Sequence, residues 1–352
     1  MKSIKIAVAV AAAAGLACSL FVPFAAHAGL TTLSNLFVIG DSLSDGGNSG
    51  LVTGGFPPPP YANGRYSNGP TAVEQLWERY NPGDTRFRPS LAGGTNCAIG
   101  GATTGSASCN SVNPAVPDVL RPAFDNKGAA WQLQGFQNHL ASGNTFDAAS
   151  SLFVVWLFPN DVFYALTTGQ LPGQVPGSPG GPDLVSNGIA NILTIVGTLA
   201  ALGAEHVLVP NMPDLGATPA FAGTPSAGAL SAPNGAVQQQ PCRAAHGARR
   251  LPGRHRDRPV RHRRLLRRRR REPGRLRARE CDGPVRVNLG NGPGQCNPSD
   301  NRWLFWDGVH PATYAHGLIA QRFATAVPEP GSRALLTLGL VSVVATRRRR
   351  AR

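Results

Sequence analysis

Five residues spread along this 352-residue chain have the types that nucleophilic acyl chemistry needs. Ser42 follows Gly40-Asp41, directly after the apolar run at 36–39. Gly101 closes a Gly-Gly pair. Asn160 follows a second apolar run that ends at Leu157. Asp307 and His310 lie three apart in Asp307-Gly-Val-His-Pro311. A serine hydroxyl attacks an ester carbonyl only when a base within hydrogen-bond reach takes its proton. His310 is the candidate base, and Asp307 the group that orients the imidazole and stabilises its charged form. The developing oxyanion needs donors already in place. The amides of Ser42 and Gly101 and the side-chain amide of Asn160 would supply three.

These groups need elements to position them. Residues 36–39 read as a short buried strand, because a continuous apolar run stopped by glycine suits a strand covered on both faces. Gly40 lets the chain turn at the strand's carboxyl end, where open α/β sheets bind ligands. Residues 151–157 form the most apolar strand and run into Phe158-Pro-Asn-Asp161. An apolar helix is expected over 187–202 and a strand over 205–210. Strand, helix and strand at this spacing imply parallel pairing and an α/β fold. Further helices are expected from Pro70, with Glu74 in the first turn, over 131–140 and over 313–323. Residues 96–104 form a small-residue loop whose glycines let backbone amides approach a ligand. Residues 46–70, 169–183 and 211–236 read as Gly- and Pro-rich loops. The first lies near Ser42, and long loops in compact domains are often functional.

The length allows one large domain or two small ones. A net charge of +15 suggests a nucleic-acid partner, but its distribution argues otherwise. Of 34 Lys and Arg, 18 are Arg between 243 and 286, five are in the last six residues, and the remainder of the chain is slightly acidic. The block at 241–286 has no Lys, no aromatic residue and no apolar period. One reading is a solvated basic arm for RNA or DNA, although it lacks aromatic stacking platforms. The preferred reading is translation out of frame. A one-base shift turns CGN arginine codons into Val, Ala, Gly, Asp or Glu codons, and permissive choices over 254–286 then yield a strand-like run, a helix-like stretch and a turn. As written, residues 261–271 must stay outside any core, because buried unpaired charge is strongly unfavourable. The last third of the chain is therefore expected to fold poorly.

Residues 1–28 have the order of a secretion signal: Lys2 and Lys5, an apolar run, then Ala26-His27-Ala28. Export permits disulfides, and Cys97 and Cys109 are spaced to close a small loop. The eight His show no ligand spacing outside the arginine block. No metal or other cofactor is expected.

Gly40-Asp41-Ser42-Leu43-Ser44-Asp45, the stretch 96–104, Asn160-Asp161 and Asp307-Gly-Val-His-Pro311 resemble, in that order, the sequence blocks of the GDSL, or SGNH, family of serine esterases and lipases. Residues 61–68 and 210–219 are similar to its secreted branch. The resemblance covers 34–240 and 286–326. It implies a three-layer α/β/α sandwich with a parallel sheet over 29–326, disturbed within 241–286. It also implies Ser42 as nucleophile, His310 as base, Asp307 as its partner, and Ser42, Gly101 and Asn160 as the oxyanion hole. The third block departs from the family, with Phe158 where Gly usually stands. Residues 327–352 join Pro-Glu-Pro, an apolar run and arginines, and resemble a PEP-CTERM sorting tail. The apolar run is short of the ~20 residues of a full span. The tail implies transient membrane contact, processing by an exosortase-like enzyme, and a secreted or cell-surface protein. The activity implied is cleavage of carboxylic esters through an acyl-enzyme, on a lipid or an acylated small molecule or glycan, with no nucleic acid as partner. The alternative is a surface-displayed binding protein with an impaired site on the same fold.

Overall fold

The computed structural model describes residues 30, 32–231 and 303–327. Three strands, β1 (Asn35–Gly40), β2 (Ser151–Trp156) and β3 (His206–Leu208), form a parallel sheet in the order β1-β2-β3. Leu36 stands opposite Leu152, Gly40 opposite Trp156, and Leu152 opposite His206. Because all three run the same way, their carboxyl ends share one rim. The helices are α1 (Asn48–Thr53), α2 (Ala72–Tyr80), α3 (Ala129–Ala141), α4 (Pro159–Thr168), α5 (Leu184–Ala201) and α6 (Thr313–Ala326).

The uninterrupted apolar runs of β1 and β2 are explained by burial on both faces. Phe37, Ile39, Phe153 and Val155 pack with Leu133 and Phe136 of α3 and with Ile192, Ile195 and Leu199 of α5. The alternate residues Leu36, Val38, Leu152, Val154 and Trp156 pack with Val73, Leu76 and Trp77 of α2 and with Ile319 and Phe323 of α6. The period-two alternation of strand side chains thus divides the core into two layers, and the fold is the α/β/α sandwich that the sequence implied.

Several boundaries differ from the sequence reading. The long loop expected over 46–70 contains α1. The helix expected from Pro70 begins at Ala72, because Thr71 and Glu74 form a reciprocal capping box there. The main chain of Thr71 donates to Glu74 at 2.8 Å, and Arg65 holds the same carboxylate at 2.6 Å. The segment before Gly100 joins the edge of β1 through a bridge from Val38 to Asn96 and through the Ile99 N–H, which donates to Gly40 C=O at 3.3 Å.

Cys97 and Cys109 are both free and buried, so the small loop that their spacing allowed is not closed. Each sits on its own segment. The Cys97 N–H donates to Val38 C=O at 2.9 Å, while the Cys109 N–H donates to Gly101 C=O at 2.7 Å. Burial pushes the two thiols up to about 11 and about 12, so both stay protonated and inert. The leader at 1–28, the arginine block at 241–286 and the tail beyond Val327 lie outside the described residues.

Candidate active site

On the Ser42 side, buried side chains hold a tight turn of main chain. At the end of β1 the Gly40 N–H donates to Gln132 Oε1, and Gln132 Nε2 donates to Gly40 C=O, both at 2.8 Å. Gln132 comes from α3 and is fully buried, so its carboxamide acts as a one-residue substitute for a neighbouring strand. The chain then turns sharply. The N–H groups of Ser44 and Asp45 both donate to Asp41 C=O at 3.0 Å, and the Leu43 N–H donates to Asp41 Oδ1 at 3.0 Å. This turn leaves Ser42 half-buried at the rim. Asp45, fully buried, accepts from the N–H groups of Gly47, Asn48, Ser49 and Gly100 and from the Ser49 hydroxyl. One carboxylate therefore ties the start of α1 to the loop that carries Gly101.

On the His310 side, side chains and two main-chain bonds hold a short segment. His310 Nε2 lies 2.9 Å from Ser42 Oγ, and His310 Nδ1 lies 2.6 Å from Asp307 Oδ2. Asp307 Oδ1 accepts from the N–H groups of Val309 at 2.9 Å and His310 at 2.7 Å. The three-residue spacing thus lets one carboxylate both shape its own turn and orient the ring. The Trp306 N–H donates to His310 C=O at 2.8 Å and closes the loop. Ser67 Oγ donates to Pro311 C=O at 2.9 Å, the Thr313 N–H to Asn68 Oδ1 at 2.8 Å, and the Ala220 N–H to Gly308 C=O at 2.8 Å. Tyr61 donates its hydroxyl to Asp307 Oδ2 at 2.6 Å, and the Tyr66 ring packs 5.2 Å from that of His310.

The electrostatics favour a charged imidazole. Burial works against a charged Asp307, but the His310 charge and hydrogen bond, with the Tyr61 hydroxyl, more than offset it. The carboxyl is held well below its usual range. Burial likewise works against a charged His310, yet Asp307, and secondarily Asp41, hold it above its ordinary value. The pair suits the imidazolium that forms when Ser42 loses its proton.

Three donors lie at this rim. Gly101 has φ +81°, and a Cβ there would fall 2.5 Å from Asn110 Cγ, so only glycine fits. Among the described residues, neither the Ser42 nor the Gly101 N–H has a hydrogen-bond partner. Asn160, in the first turn of α4, donates from Nδ2 to Asp41 Oδ2 at 3.3 Å. Burial pushes Asp41 up to about 7, against the opposing effects of the Leu43 N–H, His310 and Asn160. Asp161 accepts from the Thr104 N–H at 2.9 Å and from its hydroxyl, joining α4 to the Gly101 loop.

Phe158 has φ +107° at the N-cap of α4, a backbone that glycine adopts far more readily than a residue with a side chain. Such a conformation costs on the order of 1–3 kcal/mol for a residue with a side chain. Burial of the ring among Val162, Met212, Leu215 and Leu230 offsets it. Gly188 of α5 makes room, since a Cβ there would lie 2.3 Å from the Phe158 ring.

All five residues singled out from the sequence thus lie along the rim. Sequence reasoning missed Gln132 and the part played by Tyr61. Gln132 is one polar position in an otherwise ordinary helix and carried no signal. Tyr61 lay inside a quoted motif, but nothing local links it to Asp307. Among the described residues, no three His, Cys, Asp or Glu are grouped to hold a metal. A cavity of about 290 Å³ lined by Phe37, Thr95, Cys97, Phe136 and His139 includes none of the five rim residues.

A family model described as GDSL-like lipase/acylhydrolase matches residues 36–323, from the start of β1 into α6. The chain is 31% identical over 239 residues to an uncharacterised protein in the trpE-trpG intergenic region of Pseudomonas putida, covering 65% of this chain and 36% of the relative. It is 31% identical over 191 residues to Lipase 1 of Photorhabdus luminescens, covering 53% and 23%. It is 30% identical over 189 residues to phosphatidylcholine-sterol acyltransferase of Aeromonas hydrophila, covering 53% and 46%. The chain spans less than half the length of each of these relatives.

Proposed function

The chain belongs to the GDSL-like lipase/acylhydrolase family, and from that premise we propose that it is a secreted or cell-surface serine hydrolase cleaving carboxylic esters through an acyl-enzyme. Ser42 Oγ attacks the ester carbonyl while its proton passes to His310 Nε2. Asp307 stabilises the imidazolium, and the amides of Ser42 and Gly101 with Asn160 Nδ2 receive the oxyanion. Collapse of the tetrahedral intermediate breaks the ester bond, and the departing alkoxide takes the proton from His310. Water then repeats the sequence on the acyl-Ser42 ester, giving up a proton to His310 and releasing the acid. The observation that carries this reading is the unbroken line from Ser42 Oγ to His310 at 2.9 Å and from His310 to Asp307 at 2.6 Å.

The substrate in this reading is a lipid or an acylated small molecule or glycan, and no metal, cofactor or nucleic acid takes part. The leader at 1–28 carries the chain through the inner membrane. The tail at 327–352 contacts that membrane transiently and is processed by an exosortase-like enzyme.

The test uses the full chain, a fluorophosphonate probe and short p-nitrophenyl esters. Wild type should be labelled and should turn over the esters. Ser42→Ala should lose both while its melting temperature holds. An unlabelled, inactive wild type would favour the alternative of an impaired surface-binding protein. A panel of acyl chain lengths would then narrow the substrate class.

A further inference from the structure

We propose that Tyr61 is a positioning residue of the Ser42–His310–Asp307 line, acting through Asp307 to govern His310 as a base and coupling the loop at 54–71 to the chemistry. The proposal rests on the serine-hydrolase reading above. The Tyr61 hydroxyl donates to Asp307 Oδ2 at 2.6 Å, and His310 Nδ1 meets the same oxygen at 2.6 Å. The other oxygen, Oδ1, is occupied by the N–H groups of Val309 and His310. The phenol and the imidazole therefore share one oxygen. A charge-assisted donor this short draws electron density from the carboxylate, and so moderates its pull on the imidazole proton. It also fixes the oxygen toward which the ring must point.

The surroundings explain why a tyrosine reaches this position. Its ring meets the Trp306 ring at 6.2 Å and 75°, and the Tyr66 ring at 6.3 Å. Trp306 directly precedes Asp307, so the aromatic contact and the hydrogen bond grip adjacent residues of the base segment. Behind Tyr61 the loop is pinned to α2, because Arg65 and Thr71 both bind Glu74. Ser67 and Asn68 hold Pro311 and Thr313 farther along. Of these loop contacts with the base segment, the Tyr61 hydroxyl bonds the carboxylate itself. A displacement of the loop therefore reaches His310 through Tyr61 and Asp307.

The groups facing His310 come from three places. Asp307 belongs to its own segment, Asp41 to the turn after β1, and the Tyr61 and Tyr66 phenols to the loop. The Tyr66 hydroxyl donates to Ser49 Oγ, accepts from Asn110 Nδ2 and faces Asp45; burial first, then Asp45, push its titration far above neutral pH. Burial raises Asp41 to about 7, and it is common to wild type and every variant, so the readout is the difference between their limbs.

Tyr61→Phe removes the hydroxyl and keeps the ring. The full chain, wild type and variant, is assayed for kcat and KM on p-nitrophenyl acetate across pH, beside Ser67→Ala as a tether variant that does not touch Asp307. Tyr61→Phe should move the acid limb of kcat/KM upward by about half a pH unit, because the unmoderated carboxylate makes His310 more basic. Its plateau kcat should fall by about three- to tenfold, the effect of one lost hydrogen bond, with KM within about twofold. Ser67→Ala should leave the limb in place. In an Asp307→Asn background, the Tyr61→Phe effect should shrink to below about twofold. An unmoved or lowered limb in Tyr61→Phe would overturn the proposal. So would loss of the fold, since the hydroxyl would then be a structural group. Failure of wild type to hydrolyse the ester would instead remove the hydrolase reading itself.

Discussion

Ser42 and His310 stand 2.9 Å apart yet are held by different means. On the Ser42 side the polypeptide folds on itself: strand β1 pairs with β2, Gln132 clamps Gly40, and Asp45 gathers the amides of the following turn. On the His310 side a short segment is fastened to the core largely by side chains of residues 61–75. The first arrangement places most of the turn's backbone in a buried, hydrogen-bonded lattice. The second depends on closing a very long stretch of chain, whose entropy must be met before those contacts form. The contrast predicts that the nucleophile turn opens only with the global fold, whereas the base segment opens at lower cost.

The strongest test of this division removes the base alone. His310→Ala should lower kcat by on the order of 10⁴ or more, while the urea midpoint moves little, because no core residue is lost. A midpoint that collapses would mean the base segment is part of the global unit.

Next in size is the oxyanion donor. Asn160→Ala should reduce kcat by about 10²–10³, and a rate within a few-fold of wild type would remove Asn160 from the chemistry.

Two smaller substitutions set the sides against each other. Gln132→Leu leaves the buried Gly40 amide without its acceptor, the carbonyl keeping the Ile99 N–H, and should destabilise the whole protein by about 1–3 kcal/mol in urea. Asn68→Ala removes the acceptor for the Thr313 N–H at the start of α6, a capping contact worth about 1 kcal/mol. Its main consequence should be faster hydrogen exchange confined to 303–313 and lower activity. If Asn68→Ala lowers global stability more than Gln132→Leu does, the division is wrong.

The gentlest probe is pH. His310 is raised above its ordinary value, so kcat/KM should fall as pH drops through a midpoint above about 6.5. The stability it contributes runs the other way: complete below its unfolded value, it is lost as pH rises through the folded one. Asp307 is depressed, and its contribution is present above about 3.9 and lost as pH falls toward its folded value. The base segment should thus be tightest between about pH 4 and 6.5, where the base is protonated and idle. Protection of 303–313 that rises together with activity would contradict this.

Much of the molecule was open to sequence reasoning because it depends on local pattern. The apolar runs at 36–39 and 151–157 required strands buried on both faces, and their polar ends named the rim. Ser42, Gly101, Asn160, Asp307 and His310 stood out because their types and flanking residues are chemically unusual. Boundaries were less legible: the helix after Pro70 starts where Thr71 and Glu74 bond each other, a matter of side-chain geometry. The setting of Phe158 was not legible either, because composition alone does not reveal that Gly188 vacates the space its ring needs.

What the chain's residues determined unaided was which segments bury themselves and which side chains can react, since both follow from hydropathy and functional-group chemistry. Tertiary structure alone decided that Gln132 completes the edge of β1, that Tyr61 bonds Asp307, and that Cys97 and Cys109 stay apart. Each of those outcomes is a distance between segments remote in sequence, and packing, which no local pattern records, sets such distances.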